Sequence, residues 1–114
     1  MIVATARLPD DERMLILLLA FVHLRQGMPL KAETLYAALV ALDPDDTLAA
    51  KGLAWAQLES GRPKATLATL DRVSGPHEPS AVVQLLRARA LAQLDLLDDA
   101  RVAMRAFNKT RNHD

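Results

Sequence analysis

No cysteine occurs among the 114 residues. The chain therefore has no disulfide framework, no thiol nucleophile and no cysteine-based zinc site, which fits a reducing, cytoplasmic setting. Aromatic residues are scarce, with one Trp, one Tyr and two Phe, and β-branched residues are few beside Ala and Leu. That mixture disfavours strands and favours helices, because Ala and Leu lose little rotamer freedom in a helix. Surplus charge is missing as well, since 14 basic residues cancel 14 acidic ones. Without a net positive field the long-range attraction used by nucleic-acid binders is absent, so DNA or RNA is not expected as the main partner. The longest apolar run, Met14 to Val22, falls well short of the roughly 20 residues that cross a bilayer. Asp10, Asp11 and Glu12 precede it, where a signal peptide would carry basic residues.

What is present is a composition half apolar and a quarter charged, ordinary for one folded domain and too hydrophobic for a disordered chain. The organising signal is a repeat of 34 residues. Gly27, Gly61 and Asp95 fall in register, as do Ala20, Ala54 and Ala88, and Ala32, Thr66 and Ala100. The bulky sets Tyr36, Leu70, Met104 and Leu39, Val73, Phe107 follow the same step. Three repeats result, 13–46, 47–80 and 81–114, preceded by a tail over 1–12. Each is expected to be a helical hairpin with a small residue at the close crossing, Ala20 against Ala32 and its equivalents. Gly27 and Gly61 end first helices, where a left-handed residue is cheap for glycine. Pro29 and Pro63 open second helices, where the missing N–H costs nothing. Asp43-Pro44-Asp45-Asp46 closes the first repeat and gives the next helix an acidic first turn. Gly75-Pro76 and Pro79 are expected to do similar work before the third. The pattern predicts helices over 11–26, 29–42, 45–60, 63–73, 79–94 and 97–110, and no strand.

These residues resemble the tetratricopeptide repeat family over about nine-tenths of the chain. The stretch from Gly27-Met28-Pro29-Leu30-Lys31-Ala32 to Leu42-Asp43-Pro44 carries the likeness best. Thr66, Glu78 and Asp95 depart from the small residue, the proline and the glycine of the pattern. The resemblance implies an all-α fold, three hairpins in a short right-handed solenoid whose first helices line a concave groove.

Catalytic chemistry finds no foothold, and no enzyme activity, cofactor or metal is expected. His23, His77 and His113 are scattered, with no carboxylate at metal-ligand spacing, and His23 reads as a packed or edge histidine. Asp45-Asp46 and Asp98-Asp99 read as helix-start residues rather than acid–base pairs. Ser60, Ser74 and Ser80 sit at turns without the elbow of a nucleophilic serine. The four glycines are too dispersed for a phosphate loop. Arg101, Arg105 and Lys109 make a basic stripe on the last helix, with Arg111 beyond. It reads first as a solvated face and second as a docking strip for an acidic surface.

On a helical wheel, repeat positions 4, 7, 8 and 11 form one cluster, expected to be core. Positions 2, 5, 9, 12 and 13 lie roughly opposite and are expected to face the groove. They place Met14, Leu17, Phe21 and Leu24, then Leu48, Trp55 and Leu58, then Val82, Leu85 and Ala92 in the groove, among Arg25, Lys51, Glu59, Arg89 and Gln93. Met14, Leu17, Phe21, Leu24, Leu48, Trp55, Leu58, Val82 and Leu85 are the candidate partner-binding residues, with Trp55 as central anchor. The first helix is apolar nearly all round, and a solenoid cannot cover its first helix on every side. The tail over Met1 to Leu8, a second copy, or a partner's amphipathic helix would cover it, and the partner helix is the preferred reading. The isolated protein is then expected to be poorly behaved or to self-associate. A lysine- and asparagine-lined clamp for carboxylates is a poor match, because only Lys51 is suitably placed.

A short chain of three such hairpins with an apolar groove is similar to the small chaperones of bacterial type III secretion. The block from Leu17 to Pro44 and the ending from Leu97-Asp98-Asp99-Ala100-Arg101 to Asn112-His113-Asp114 resemble the YscY family, with YscG-type needle chaperones close behind. This resemblance implies a cytoplasmic chaperone that forms a heterodimer with a small secreted export component of the YscX type. It would present that component to the inner-membrane export gate. The alternative is a generic tetratricopeptide scaffold or adaptor in another assembly.

Overall fold

Three turns spaced 34 residues apart set the architecture. The computed structural model describes residues 8–73 and 80–112. Within them lie α1 (Asp10–Arg25), α2 (Pro29–Leu42), α3 (Thr47–Glu59), α4 (Pro63–Val73), α5 (Ala81–Gln93) and α6 (Leu97–Arg111), with no strand among the described residues. Gly27 and Gly61 adopt φ of 76° and 79°, and Asp95, the one departure at this position, adopts 61°. The same pair of hydrogen bonds closes each first helix. Met28, Arg62 and Leu96 N–H donate to the carbonyls of His23, Gln57 and Leu91, while Gly27, Gly61 and Asp95 N–H donate to those of Leu24, Leu58 and Ala92. This is the left-handed helix stop expected of glycine, and Asp is among the few other residues that tolerate it. Pro29 and Pro63 are the first residues of α2 and α4. Gly75-Pro76 and Pro79 lie outside the described residues.

The close crossings fall where the small residues repeat. Ala20 and Ala32 are fully buried together in one cluster. At the equivalent crossing in the second hairpin, Thr66 donates its hydroxyl to the Ala54 carbonyl at 3.1 Å. Thr66 thus keeps the spacing of a small residue and satisfies its own polar atom. Ala88 and Ala100 are buried in the third hairpin.

Within each hairpin the two helices pack on each other, and α2 packs on α3 and α4 on α5. First helices also approach one another, α1 with α3 and α3 with α5, whereas among the described residues the backbones of the second helices α2, α4 and α6 stay more than 8 Å apart, Cα to Cα. Stacking that is tight on one side and open on the other curves the array, with α1, α3 and α5 on its inner side. The radius of gyration is 14.9 Å, against roughly 13 Å for a compact domain of this length, as a stack of hairpins requires.

The first helix boundaries follow from local chemistry. Asp43 makes a turn in which its carboxylate accepts from Asp45 N–H at 3.0 Å, so α3 starts at Thr47 rather than at residue 45. Asp46 is its N-cap and accepts from Ala49 N–H at 3.2 Å. The same buried carboxylate takes two hydrogen bonds from Arg13, at 2.7 and 2.8 Å, tying the start of α1 to the start of α3. The Arg13 guanidinium holds the Asp46 carboxyl below its ordinary value of 3.8. Since the folded pKa lies below the unfolded one, this contribution is complete above about pH 4 and is lost as pH falls through the folded value. Asp46→Asn should therefore lower stability at neutral pH by roughly 1–2 kcal/mol and flatten its decline on acidification. Urea midpoints measured across that range check this, and a variant with an unaltered acid limb would speak against it.

Candidate partner-binding face

Two clusters form the interior. The first gathers Leu17, Ala20 and Leu24 of α1, Ala32, Tyr36 and Leu39 of α2, and Ala49, Leu53 and Ala56 of α3. The second gathers Ala54 and Leu58 of α3, Leu70 of α4, and Val83, Leu86 and Ala90 of α5. Three of the nine residues expected in the groove are therefore interior: Leu17, Leu24 and Leu58 are buried and leave the candidate surface. The physical reason is the neighbour that a single-helix wheel ignores. Positions 5 and 12 of a repeat look toward the first helix of the next repeat, so α3 covers Leu17 and Leu24, and α5 covers Leu58. In the last repeat no further helix follows within the described residues, and there Leu85 and Ala92 are exposed. Leu19, expected in the core at position 7, is exposed, while Ile16 and His23 are only half-buried.

Apart from the exposed Leu85, what remains of the expected set is a pair of rows along the inner side. Position 2 supplies Met14, Leu48 and Val82, one from each first helix, at 55, 55 and 53 % exposure. Large apolar side chains at this one repeat position thus share nearly the same exposure in all three hairpins. Position 9 supplies Phe21, Trp55 and Arg89. The Phe21 and Trp55 rings meet edge to face with centroids 6.2 Å apart, and the Arg25 guanidinium sits 5.9 Å over the Phe21 ring. Trp55 Nε1–H donates to Glu59 Oε1 at 3.2 Å, and Arg89 donates to the same oxygen at 3.1 Å. A continuous chain from Arg25 through Phe21, Trp55 and Glu59 to Arg89 thus joins α1, α3 and α5.

Trp55 is half-buried and packs against both interior clusters. It is a joint between the clusters as well as part of the face, and it lies beside Phe21 rather than beside an exposed Leu58. Its paired N–H leaves the ring, not the polar edge, available to an apolar ligand.

The basic stripe of α6 borders a second hollow. Arg101 and Arg105, with Arg89, rim a cleft of about 470 Å³ floored by Ala88, Ala92, Leu97, Ala100 and Met104. Arg101 pairs with Asp98 at 3.0 Å, so Asp98 acts as an ion-pair partner in the first turn, and α6 has no side-chain cap. Ser80 caps α5 through Val83 N–H, and Ser60 donates to the Ala56 carbonyl, which occupies both with helix ends. His77, His113 and Ser74 lie outside the described residues. Among the described residues no three His, Cys, Asp or Glu side chains gather around a point that could hold a metal ion, and no helix is long and apolar enough to cross a membrane.

The sequence profile of the tetratricopeptide repeat matches residues 23–90, more than half of the chain. The chain belongs to the tetratricopeptide repeat family. A comparison with functionally characterised proteins finds no match. The profile spans the end of α1 through α5 and so includes both turns at Gly27 and Gly61. Tetratricopeptide repeat domains mediate protein–protein interactions, and an all-helical fold of this kind is typically a non-catalytic scaffold.

Proposed function

We propose that this tetratricopeptide protein is a type III secretion chaperone that holds an amphipathic helix of a small secreted export component on the face of α1, α3 and α5. The supporting observation is the apolar row Met14, Leu48 and Val82 beside the Phe21–Trp55 pair, one large exposed side chain per repeat. A helix laid across such a face presents apolar anchors at i, i+3, i+4 and i+7 and buries them in exchange for water. Glu59, Arg25 and Arg89 at the edges would fix its direction through charge. For a secreted component the benefit is protective, because its apolar helix stays covered and unpolymerised until export. The resemblance to the YscY family supplies the kind of partner, a YscX-type protein in a heterodimer, delivered in the cytoplasm to the inner-membrane export gate.

A generic scaffold in another assembly would use the same face for a partner of another kind. Co-expression with a YscX-type export component separates the two. The chaperone reading expects co-elution as an equimolar complex on size exclusion, with the export component insoluble when expressed alone. Separate elution of two soluble proteins would contradict the chaperone reading and leave the scaffold reading in place.

A further inference from the structure

The outer side of α1 is the same repeat face that every later hairpin buries. Thirty-four residues on from Leu15, Leu18, Leu19 and Val22 stand Ala49, Gly52, Leu53 and Ala56 in α3, all buried beneath the preceding hairpin. The next step reaches Val83, Leu86, Arg87 and Ala90 in α5, of which the three apolar residues are buried in the second cluster. In α1 all four positions are large and aliphatic, and they are 64, 59, 45 and 36 % exposed. At about 100° per residue they lie diametrically opposite Leu17, Ala20 and Leu24, and a quarter turn from Met14 and Phe21. The outer face of a terminal repeat is ordinarily polar, because solubility demands it. This one is not.

The residues at the two ends of the stripe say what covers it. Asp11, Leu15, Leu18, Val22 and Arg25 step by four and three, the spacing of a seam between paired helices. Glu12, Leu15, Leu19, Val22 and Gln26 run alongside. The first turn of α1 is acidic and its last turn basic. Two copies of α1 packed antiparallel about a dyad between residues 18 and 19 set Leu15 of one against Val22 of the other. Antiparallel packing also sets the acidic first turn of each copy beside the basic last turn of the other, whereas parallel packing would put acid beside acid. We infer that α1 is a self-association helix that pairs antiparallel with α1 of a second copy through Leu15, Leu18, Leu19 and Val22. The contact is isologous and closes at two. Paired helices of 16 residues make a small interface, so the association is expected to be weak and concentration-dependent.

The absence of cysteine makes the test clean. Sedimentation of the full chain should show a monomer–dimer equilibrium that shifts with concentration. Leu18→Glu places like charges about the dyad and should return a monomer with an unchanged helical signal, as befits an exposed site. Leu18→Cys should crosslink to itself under mild oxidation. Leu15→Cys should not crosslink to itself but should do so with Val22→Cys when the two variants are mixed. A monomer at every concentration, self-linking of Leu15→Cys, or growth beyond the dimer would overturn the assignment. None of these substitutions touches Met14, Phe21, Leu48 or Trp55, so partner binding and self-association are read separately.

Discussion

Gly52→Ala should destabilise the protein, although the same change in most helices does the opposite. Gly52 lies in the interior of α3, where alanine would ordinarily gain about 1 kcal/mol of helix propensity. A Cβ at this position would overlap the ring of Tyr36, with Cε1, Cζ and Cδ1 its nearest neighbours. Tyr36 is buried among Leu17, Ala20, Ala32 and Leu53, so its ring has little room to withdraw. Overpacking of this kind costs about 1–3 kcal/mol, which outweighs the propensity gain. The expected result is a net loss of about 1–2 kcal/mol and a fall of several degrees in the thermal midpoint. The decisive comparison is the sign in a second background. With Tyr36→Leu already in place the overlap disappears, and adding Gly52→Ala should then stabilise. Denaturant unfolding of the four proteins gives the cycle. A stabilising Gly52→Ala in the wild-type background would mean that α2 and α3 do not approach as described.

Gly52 also marks where the sequence is hard to read. Gly27, Gly61 and Asp95 announce the fold because the turn they make recurs at one spacing, and a left-handed stop is a local property. The crossings at Ala20, Ala54 and Ala88 are legible for the same reason, and the six helices fall within two residues of their expected ends wherever these are described. A glycine in mid-helix carries no such period. Its only signal is its cost, which calls for a close approach without naming the neighbour. The candidate face divides along the same line. Met14, Leu48 and Val82 are exposed at one repeat position, and among the described residues they belong to neither interior cluster. Leu17, Leu24 and Leu58 are buried instead, since their environment is set by the next hairpin, a contact between repeats that a wheel drawn for one helix omits. Trp55 touches both clusters, so its dual place depends on how α3 sits between α1 and α5.

That dual place governs the second large effect. Trp55→Ala should weaken the fold and the partner complex together. Loss of a half-buried indole from the joint between two clusters costs on the order of 2 kcal/mol, and it also removes the edge-to-face contact with Phe21. The complex loses a rigid aromatic anchor, worth about 2 kcal/mol or more at a binding centre. Trp55→Phe keeps most of the packing and gives up the bond to Glu59, so it should restore most of the midpoint. Leu48→Ala works differently. Its side chain is 55 % exposed and belongs to neither cluster, so the thermal midpoint should barely move while partner affinity falls. The two variants thus separate support of the face from contact with the ligand.

The most direct test is the affinity of a soluble peptide spanning the export component's amphipathic helix for a chain in which Met14, Leu48 and Val82 are all replaced by serine. Titration calorimetry against the folded variant should show binding weakened by roughly 30-fold or more, equivalent to about 2 kcal/mol. Leu30→Ser, at an exposed site on the second helix α2, should leave the affinity unchanged. Undiminished binding by the folded triple variant, or an equal loss from Leu30→Ser, would contradict a partner held on the inner face of α1, α3 and α5.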